Sequence, residues 1–308
     1  MEELLVNYLK TELIMKNLFG IIPPATTAFD RDGRLDEDSV VQQLQWLKAK
    51  GSHGVAVGGS TGEGHTLSRD EFKILLKLAR ESLGTDFPLV AGIIVNSTDE
   101  AIERGKIARD EGADVLQVTP VHYLFKPDDK AMVQHFREIC DATGMPLLIY
   151  NVVPWTYLSP ELLCRIMREV PGVMGVKQSA GDLKLMADLL EMSESEDLIF
   201  SAVDALLYPS FILKARGAIA AVLAALPGHC VELWDGVQKG DHERALELHS
   251  QLLAFWNACD LENLPACVKY AQTLQGLPET YPRRPMPEAR PEARVRIQKA
   301  LQNAGVLN

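Results

Sequence analysis

The sequence predicts a single α/β domain of the (β/α)8 TIM-barrel type, extended at its C-terminus by helices. Three observations predict it. Eight short apolar runs, at residues 20–23, 54–58, 89–95, 115–119, 147–151, 174–177, 198–202 and 218–223, are rich in Val, Ile, Leu or Ala and lack strict alternation. A strand buried on both faces reads this way. Amphipathic stretches separate the runs and the connections are short, as in a parallel barrel. The chain has 308 residues, an ordinary length for one barrel. A doubly wound open sheet is the rival. It usually carries a glycine-rich phosphate turn after its first strand, and here that turn reads Pro23-Pro24-Ala25-Thr26-Thr27.

The elements follow in order. Residues 1–18 form an N-terminal extension, either a short amphipathic helix or disordered. In it Leu4, Leu5, Leu9, Leu13 and Ile14 are interrupted by Glu2, Glu3, Lys10 and Glu12, so no signal-peptide core is present. Met15 is an alternative start, because the barrel pattern begins near Phe19. The barrel spans residues 19–228. Residues 36–50 place Val40, Leu44 and Leu47 on one helical face. Ser68 and Glu71, three apart, form a capping box ahead of Phe72, Leu75, Leu76 and Ala79. Residues 98–111 carry Ala101, Ile102, Gly105 and Ala108. Further helices are expected at 129–143, 159–169, 183–191 and 204–214. Residues 229–308 form C-terminal helices packed on the barrel: 230–239, 241–258, 265–274 and, after a Pro- and Arg-rich loop at 283–291, 294–305.

Composition excludes several classes. Hydrophobic residues make up 47% and charged residues 24%, as in a soluble globular protein. A formal charge of −11 argues against nucleic acid or an anionic membrane as partner, and no apolar run is long enough to span a bilayer. Cys140, Cys164, Cys230, Cys259 and Cys267 are scattered, odd in number and without a CxxC pair. That fits reduced thiols in a cytoplasm better than disulfides or a zinc site. The seven histidines are dispersed without ligand spacing, so neither a metal nor another cofactor is expected. His53, His135 and His249 read as ordinary helix or surface residues.

Catalytic groups of a (β/α)8 barrel sit at the C-terminal ends of its strands, and three of these ends carry reactive residues. The sixth strand ends Val173-Met174-Gly175-Val176-Lys177-Gln178-Ser179. A lysine in a buried apolar strand is costly unless neutral or paired, and a neutral amine is the nucleophile that a carbonyl needs. A lysine that merely reaches solvent is the plain alternative. The fifth strand ends Leu147-Leu148-Ile149-Tyr150-Asn151. Tyr150 can shuttle a proton beside Lys177 or simply fill the barrel core. The second strand leads into Gly58-Gly59-Ser60-Thr61-Gly62-Glu63-Gly64. Its glycines let backbone N–H groups approach a ligand, and Ser60 and Thr61 add hydroxyls. No lysine follows in Walker fashion, so a carboxylate suits the loop better than a phosphate. An ordinary tight turn is the alternative.

Taken together, Gly59-Ser60-Thr61-Gly62-Glu63, Val118-Thr119-Pro120, Ile149-Tyr150-Asn151 and Gly175-Val176-Lys177-Gln178-Ser179 resemble the dihydrodipicolinate synthase/N-acetylneuraminate lyase family of class I aldolases. The resemblance runs from about Phe19 to near the end of the chain. It implies that Lys177 forms an imine with the keto carbon of pyruvate or a pyruvate-derived 2-keto acid. It implies that Tyr150 is the proton shuttle, and that Thr61, with Ser60 and the Gly59 end of the loop, holds the carboxylate. It further implies that Ile219, on the eighth strand, offers its carbonyl to the site, and that the assembly is a homotetramer, a dimer of dimers. A protonated imine is an electron sink, so one lysine supports aldol cleavage, condensation or dehydration.

The sequence departs from the family pattern at named positions. Trp155 stands where synthase members carry an arginine for the second substrate's carboxylate, and an indole cannot form that pair. This disfavours aspartate-semialdehyde. Trp155 either covers a less charged substrate or packs at the barrel rim. His122 stands where a relay tyrosine is usual. It is either a proton carrier or an interface residue. Asp204, after the seventh strand, either binds substrate hydroxyls or caps a helix. Ala225 replaces a common asparagine. A keto-acid-binding protein of the same fold that has lost turnover is the competing function. Retention of Lys177, Tyr150 and Thr61 together speaks against it.

Overall fold

In the computed structural model, which describes residues 18–307, eight parallel strands stand in the order β1-β8-β7-β6-β5-β4-β3-β2. They are β1 (Gly20–Ile21), β2 (Val55–Val57), β3 (Leu89–Ile93), β4 (Val115–Val118), β5 (Leu147–Asn151), β6 (Val173–Gln178), β7 (Leu198–Ser201) and β8 (Gly217–Ala218). A parallel bridge between Pro24 and Ala56 joins β1 to β2 and closes the ring. His53 reinforces that seam: its ring Nδ1 accepts the Ile21 amide at 3.0 Å. The predicted extension over residues 1–18, with the alternative start at Met15, lies outside the described residues apart from Leu18.

The helices between the strands are α1 (Glu37–Ala49), α2 (Arg69–Leu83), α3 (Thr98–Asp110), α4 (Asp129–Thr143), α5 (Pro160–Glu169), α6 (Leu183–Met192), α7 (Leu207–Ile212) and α8 (Val222–Ala225). Most begin where the sequence supplies a cap. Asp36, Ser97, Asp128 and Ser159 each accept an amide of the first turn. Ser68 and Glu71 form the full capping box, which satisfies otherwise orphaned N–H groups. Four more helices follow: α9 (Pro227–Lys239), α10 (His242–Ala258), α11 (Leu264–Leu274) and α12 (Pro291–Asn303).

Strand residues alternate between two cores. Ile22, Ala56, Val90, Val115, Leu148, Leu198, Phe200 and Ile219 fill the barrel interior. Val55, Val57, Ala91, Leu116, Val118, Ile149 and Val176 face the helices. The C-terminal helices add a third apolar cluster, around Leu226, Leu248, Phe255, Val268 and Ile297. All five cysteines are buried free thiols.

One expectation is corrected. The run at 218–223 is not one strand. β8 stops at Ala218 and the chain turns into α8 at Val222. The stretch is rich in alanine, which favours helix, and the Asp204 carboxylate accepts the Val222 amide at 2.6 Å. His135 is a helix residue, one of the two readings the sequence allowed. It is buried in α4, hydrogen-bonded from Nδ1 to the Thr98 hydroxyl at 2.9 Å, and burial pulls its pKa down to about 4.

Candidate active site

The lysine faces the barrel interior because β6 is irregular. Side chains alternate along a strand with period two, so Val173 and Lys177 should share a face, and Val173 points outward. The pairing of β5 with β6 skips a residue, from Leu147↔Val173 to Leu148↔Gly175, with Met174 as the extra one. A bulge of this kind re-aims every side chain beyond it. Gly175 permits it: a Cβ there would lie 2.0 Å from the Leu198 carbonyl oxygen. Beyond the bulge Val176 faces out and Lys177 faces in.

Tyr150 and Lys177 are direct register partners on β5 and β6. Both are buried, at 2% and 3% exposure. The Lys177 Nζ lies 3.9 Å from the centroid of the Tyr150 ring and makes no ion pair or hydrogen bond among the described residues. The Tyr150 hydroxyl donates to the Ser60 Oγ at 3.0 Å. The phenol therefore bridges the amine and the glycine-rich loop, and Ser60 is exposed at the loop's outer surface.

That loop folds back on itself. The Glu63 amide donates to the Ser60 carbonyl and the Gly64 amide to the Gly59 carbonyl, each at 3.0 Å. Only glycine fits at position 64, where a Cβ would collide with the Gly58 carbonyl. Thr27 anchors the turn from β1 through its hydroxyl, which donates to the Gly62 carbonyl at 2.5 Å. The amides of Ser60 and Thr61 are left without an acceptor among the described residues. Such a cluster of free N–H groups suits an anion.

Glu63 is the residue that the sequence reading missed. It sits in the left-handed region at φ 52°, which costs roughly 1–2 kcal/mol for a non-glycine residue. Its buried carboxylate accepts Lys269 Nζ at 2.5 Å and the Arg283 amide at 2.7 Å. Lys269, on α11, also donates to the Tyr281 carbonyl at 2.6 Å. Burial lowers the Lys269 pKa, and Glu63 opposes that shift. Arg283 pairs with Glu71 and lies over the Phe29 ring at 4.1 Å. The C-terminal helices thus hold the loop from behind. The signal was available: Ala266-Cys267-Val268-Lys269 places a lysine in an apolar run, as β6 does with Lys177.

The other sequence candidates fall around this centre. Ile219 directly follows β8, with its amide on the Ser201 carbonyl at 2.8 Å, and is fully buried in the interior core. Asp204 opens a 3-10 turn (Asp204–Leu206) without capping it. Its carboxylate is spent on α8 instead. Burial raises its pKa to about 6, an effect that the Val222 amide and the Lys177 charge partly offset. Trp155, in a 3-10 turn (Pro154–Thr156), is 70% exposed and donates its indole N–H to the His122 carbonyl at 2.8 Å. The His122 ring turns toward its own loop, with Nδ1 3.2 Å from the Pro120 carbonyl. The structure brings Lys177, Tyr150 and Ser60 into one chain of contacts and Trp155 and His122 into another. No hydrogen bond or ion pair joins the two among the described residues.

Residues 17–304 match the Dihydrodipicolinate synthetase family. The chain belongs to that family. It is 33% identical over 292 residues to a 4-hydroxy-tetrahydrodipicolinate synthase of Methanopyrus kandleri, covering 94% of this chain and 97% of that one. It is 34% identical over 281 residues to the protein of that name from Bradyrhizobium diazoefficiens, covering 90% and 94%. In structure it resembles the dihydrodipicolinate synthase of Thermotoga maritima, with a TM-score of 0.90, 26% identity, and 94% of this chain and 100% of that one covered. Members of the Dihydrodipicolinate synthetase family are lyases of the class I aldolase type, with pyruvate-dependent aldolase or synthase activity. Among the described residues no helix is long and apolar enough to cross a membrane.

Proposed function

We propose that this chain is a Schiff-base-forming lyase for pyruvate or a pyruvate-derived 2-keto acid, acting by C–C cleavage or condensation or by dehydration. One observation carries the reading: a buried amine and a buried phenol are paired in register at the mouth of the barrel, 3.9 Å from nitrogen to ring centre. The Lys177 nitrogen attacks the keto carbon. Tyr150 protonates the carbinolamine hydroxyl, which leaves as water, and regains a proton through Ser60. The protonated imine then accepts the electron pair of the bond that breaks at C3.

Thr61, with Ser60, Gly59 and the free loop amides, holds the substrate carboxylate, and Ile219, directly after β8, offers its carbonyl to the site. Trp155, His122 and Asp204 bound the distal end. An indole at position 155 offers no charge to a second carboxylate, which favours a less charged partner over aspartate-semialdehyde. The reaction calls for no metal and no other cofactor. The assembly that suits the site is a cytoplasmic homotetramer.

Turnover on a panel of 2-keto acids, alone and with aldehydes, tests the proposal. Cleavage, condensation or water loss abolished by Lys177→Ala supports it. A chain that binds pyruvate but turns over no member of the panel is instead a binding protein.

A further inference from the structure

Gln117 has no explanation in the barrel's packing. It lies on β4, in register with Gly92 on β3 and Leu148 on β5. Its neighbours Leu116 and Val118 face the helices, while Val115, two residues earlier, faces the interior. The carboxamide of Gln117 therefore points into the barrel. It is completely buried, and neither Oε1 nor Nε2 has a hydrogen-bond partner among the described residues. Buried polar side chains are nearly always paired. An unpaired amide in an interior of Val, Leu, Ala and Phe is retained against the stability that a plain apolar residue would give.

The glycine-rich loop gives its direction. At Gly62 and Gly64 a Cβ would strike backbone atoms within 3 Å, so those glycines are demanded by the loop itself. Gly59 is different: the first atom that a Cβ there would meet is Nε2 of Gln117, at 3.7 Å. The amide thus lies beneath Gly59, and the two residues that follow Gly59, Ser60 and Thr61, carry N–H groups that lack acceptors among the described residues. Gln117 Nε2 is thus a third donor on the loop where the proposed function puts a carboxylate.

We propose that Gln117 is a substrate-binding residue, donating Nε2–H to the carboxylate of the 2-keto acid from beneath the loop. This rests on the reading of Lys177 as the imine-forming amine. A neutral amide adds a donor without adding a charge, and it selects ketones that carry an adjacent carboxylate over ketones that do not.

The test compares two ketones of similar size, pyruvate and hydroxyacetone, in borohydride trapping on Lys177 of the full chain. Gln117→Met keeps the side chain's length and removes its donor; Gln117→Glu places a like charge against the substrate. In Gln117→Met the half-saturating pyruvate concentration is expected to rise about ten-fold or more, as for loss of a hydrogen bond to a charged group. Trapping of hydroxyacetone is expected to stay within two-fold, roughly the noise of such a comparison. Gln117→Glu is expected to weaken pyruvate further and to leave hydroxyacetone alike. Unchanged pyruvate saturation in both variants, or an equal loss for both ketones, overturns the role of Gln117 alone. A wild-type chain that traps no pyruvate on Lys177 overturns the reading of the site with it.

Discussion

The indole N–H of Trp155 donates to the main-chain carbonyl of His122 at 2.8 Å, so the loops after β5 and β4 that carry these two residues are bonded to each other. Trp155 also lies 3.3 Å from the Tyr123 carbonyl. It holds the loop after β4, whose Tyr123, Leu124 and Phe125 are all more than 70% exposed. One side chain therefore fixes both the rim of the site and the segment that carries His122.

Trp155→Arg places a cation at the rim. Condensation of pyruvate with an aldehyde that carries a carboxylate, such as aspartate-semialdehyde, is expected to gain about ten-fold in kcat/KM, the scale of one charge-assisted hydrogen bond. An uncharged aldehyde is expected to gain nothing. Steady-state kinetics on the two aldehydes checks this, and equal effects on both contradict it.

Tyr150→Phe keeps the ring against Lys177 and removes the hydroxyl that reaches Ser60. Imine formation is expected to slow by roughly 10²-fold, the lower range for loss of a general acid–base group, with a melting temperature close to wild type. Rapid-quench borohydride trapping measures the rate. An unaffected rate removes Tyr150 from proton transfer.

Lys269→Met leaves the Glu63 carboxylate buried without its cation, with 4% of that side chain exposed. Removing one partner of such a pair costs about 3–5 kcal/mol. Urea denaturation is expected to show that loss, and Glu63→Gln in the same chain is expected to recover part of it. Additive losses in the double variant contradict coupling between the two groups.

How much of this was legible in the sequence depended on distance along the chain. The strands read well because a parallel strand covered on both faces is a run of apolar residues whatever its partners. Lys177 stood out because such a run ends in an amine. Lys269 presents the same contradiction, yet its meaning depends on Glu63, 206 residues away, and no local pattern joins them. The bulge at Met174 was equally hidden: strand period alone puts Lys177 on the face of Val173, and only pairing with β5 reverses it. The run at 218–223 misled because a short apolar run reads as a buried strand or a buried helix alike, and Asp204, from another strand's end, bonds the amide that starts the helix.

Asp204 has a pH signature. Burial raises its pKa from 3.8 to about 6, so the folded state keeps the proton over a range where the unfolded chain has lost it. Below pH 3.8 both states are protonated. As pH rises toward 6 the folded state loses stability, and above that the loss is constant. Asp204→Asn removes the titration and keeps an oxygen for the Val222 amide. Its stability relative to wild type is expected to rise by about 2–3 kcal/mol between pH 4 and 6 and then level off. Denaturation across pH 4 to 8 reads the difference, and a pH-independent one contradicts the assignment.

On the proposed function, the Lys177 amine condenses with a 2-keto acid. Incubation with pyruvate, reduction with borohydride and peptide mapping by mass spectrometry test it directly. One reduced pyruvyl group on Lys177, absent when borohydride is omitted and absent in Lys177→Ala, is the result expected. An unmodified Lys177, or a modification spread over exposed lysines and unchanged in Lys177→Ala, would contradict it.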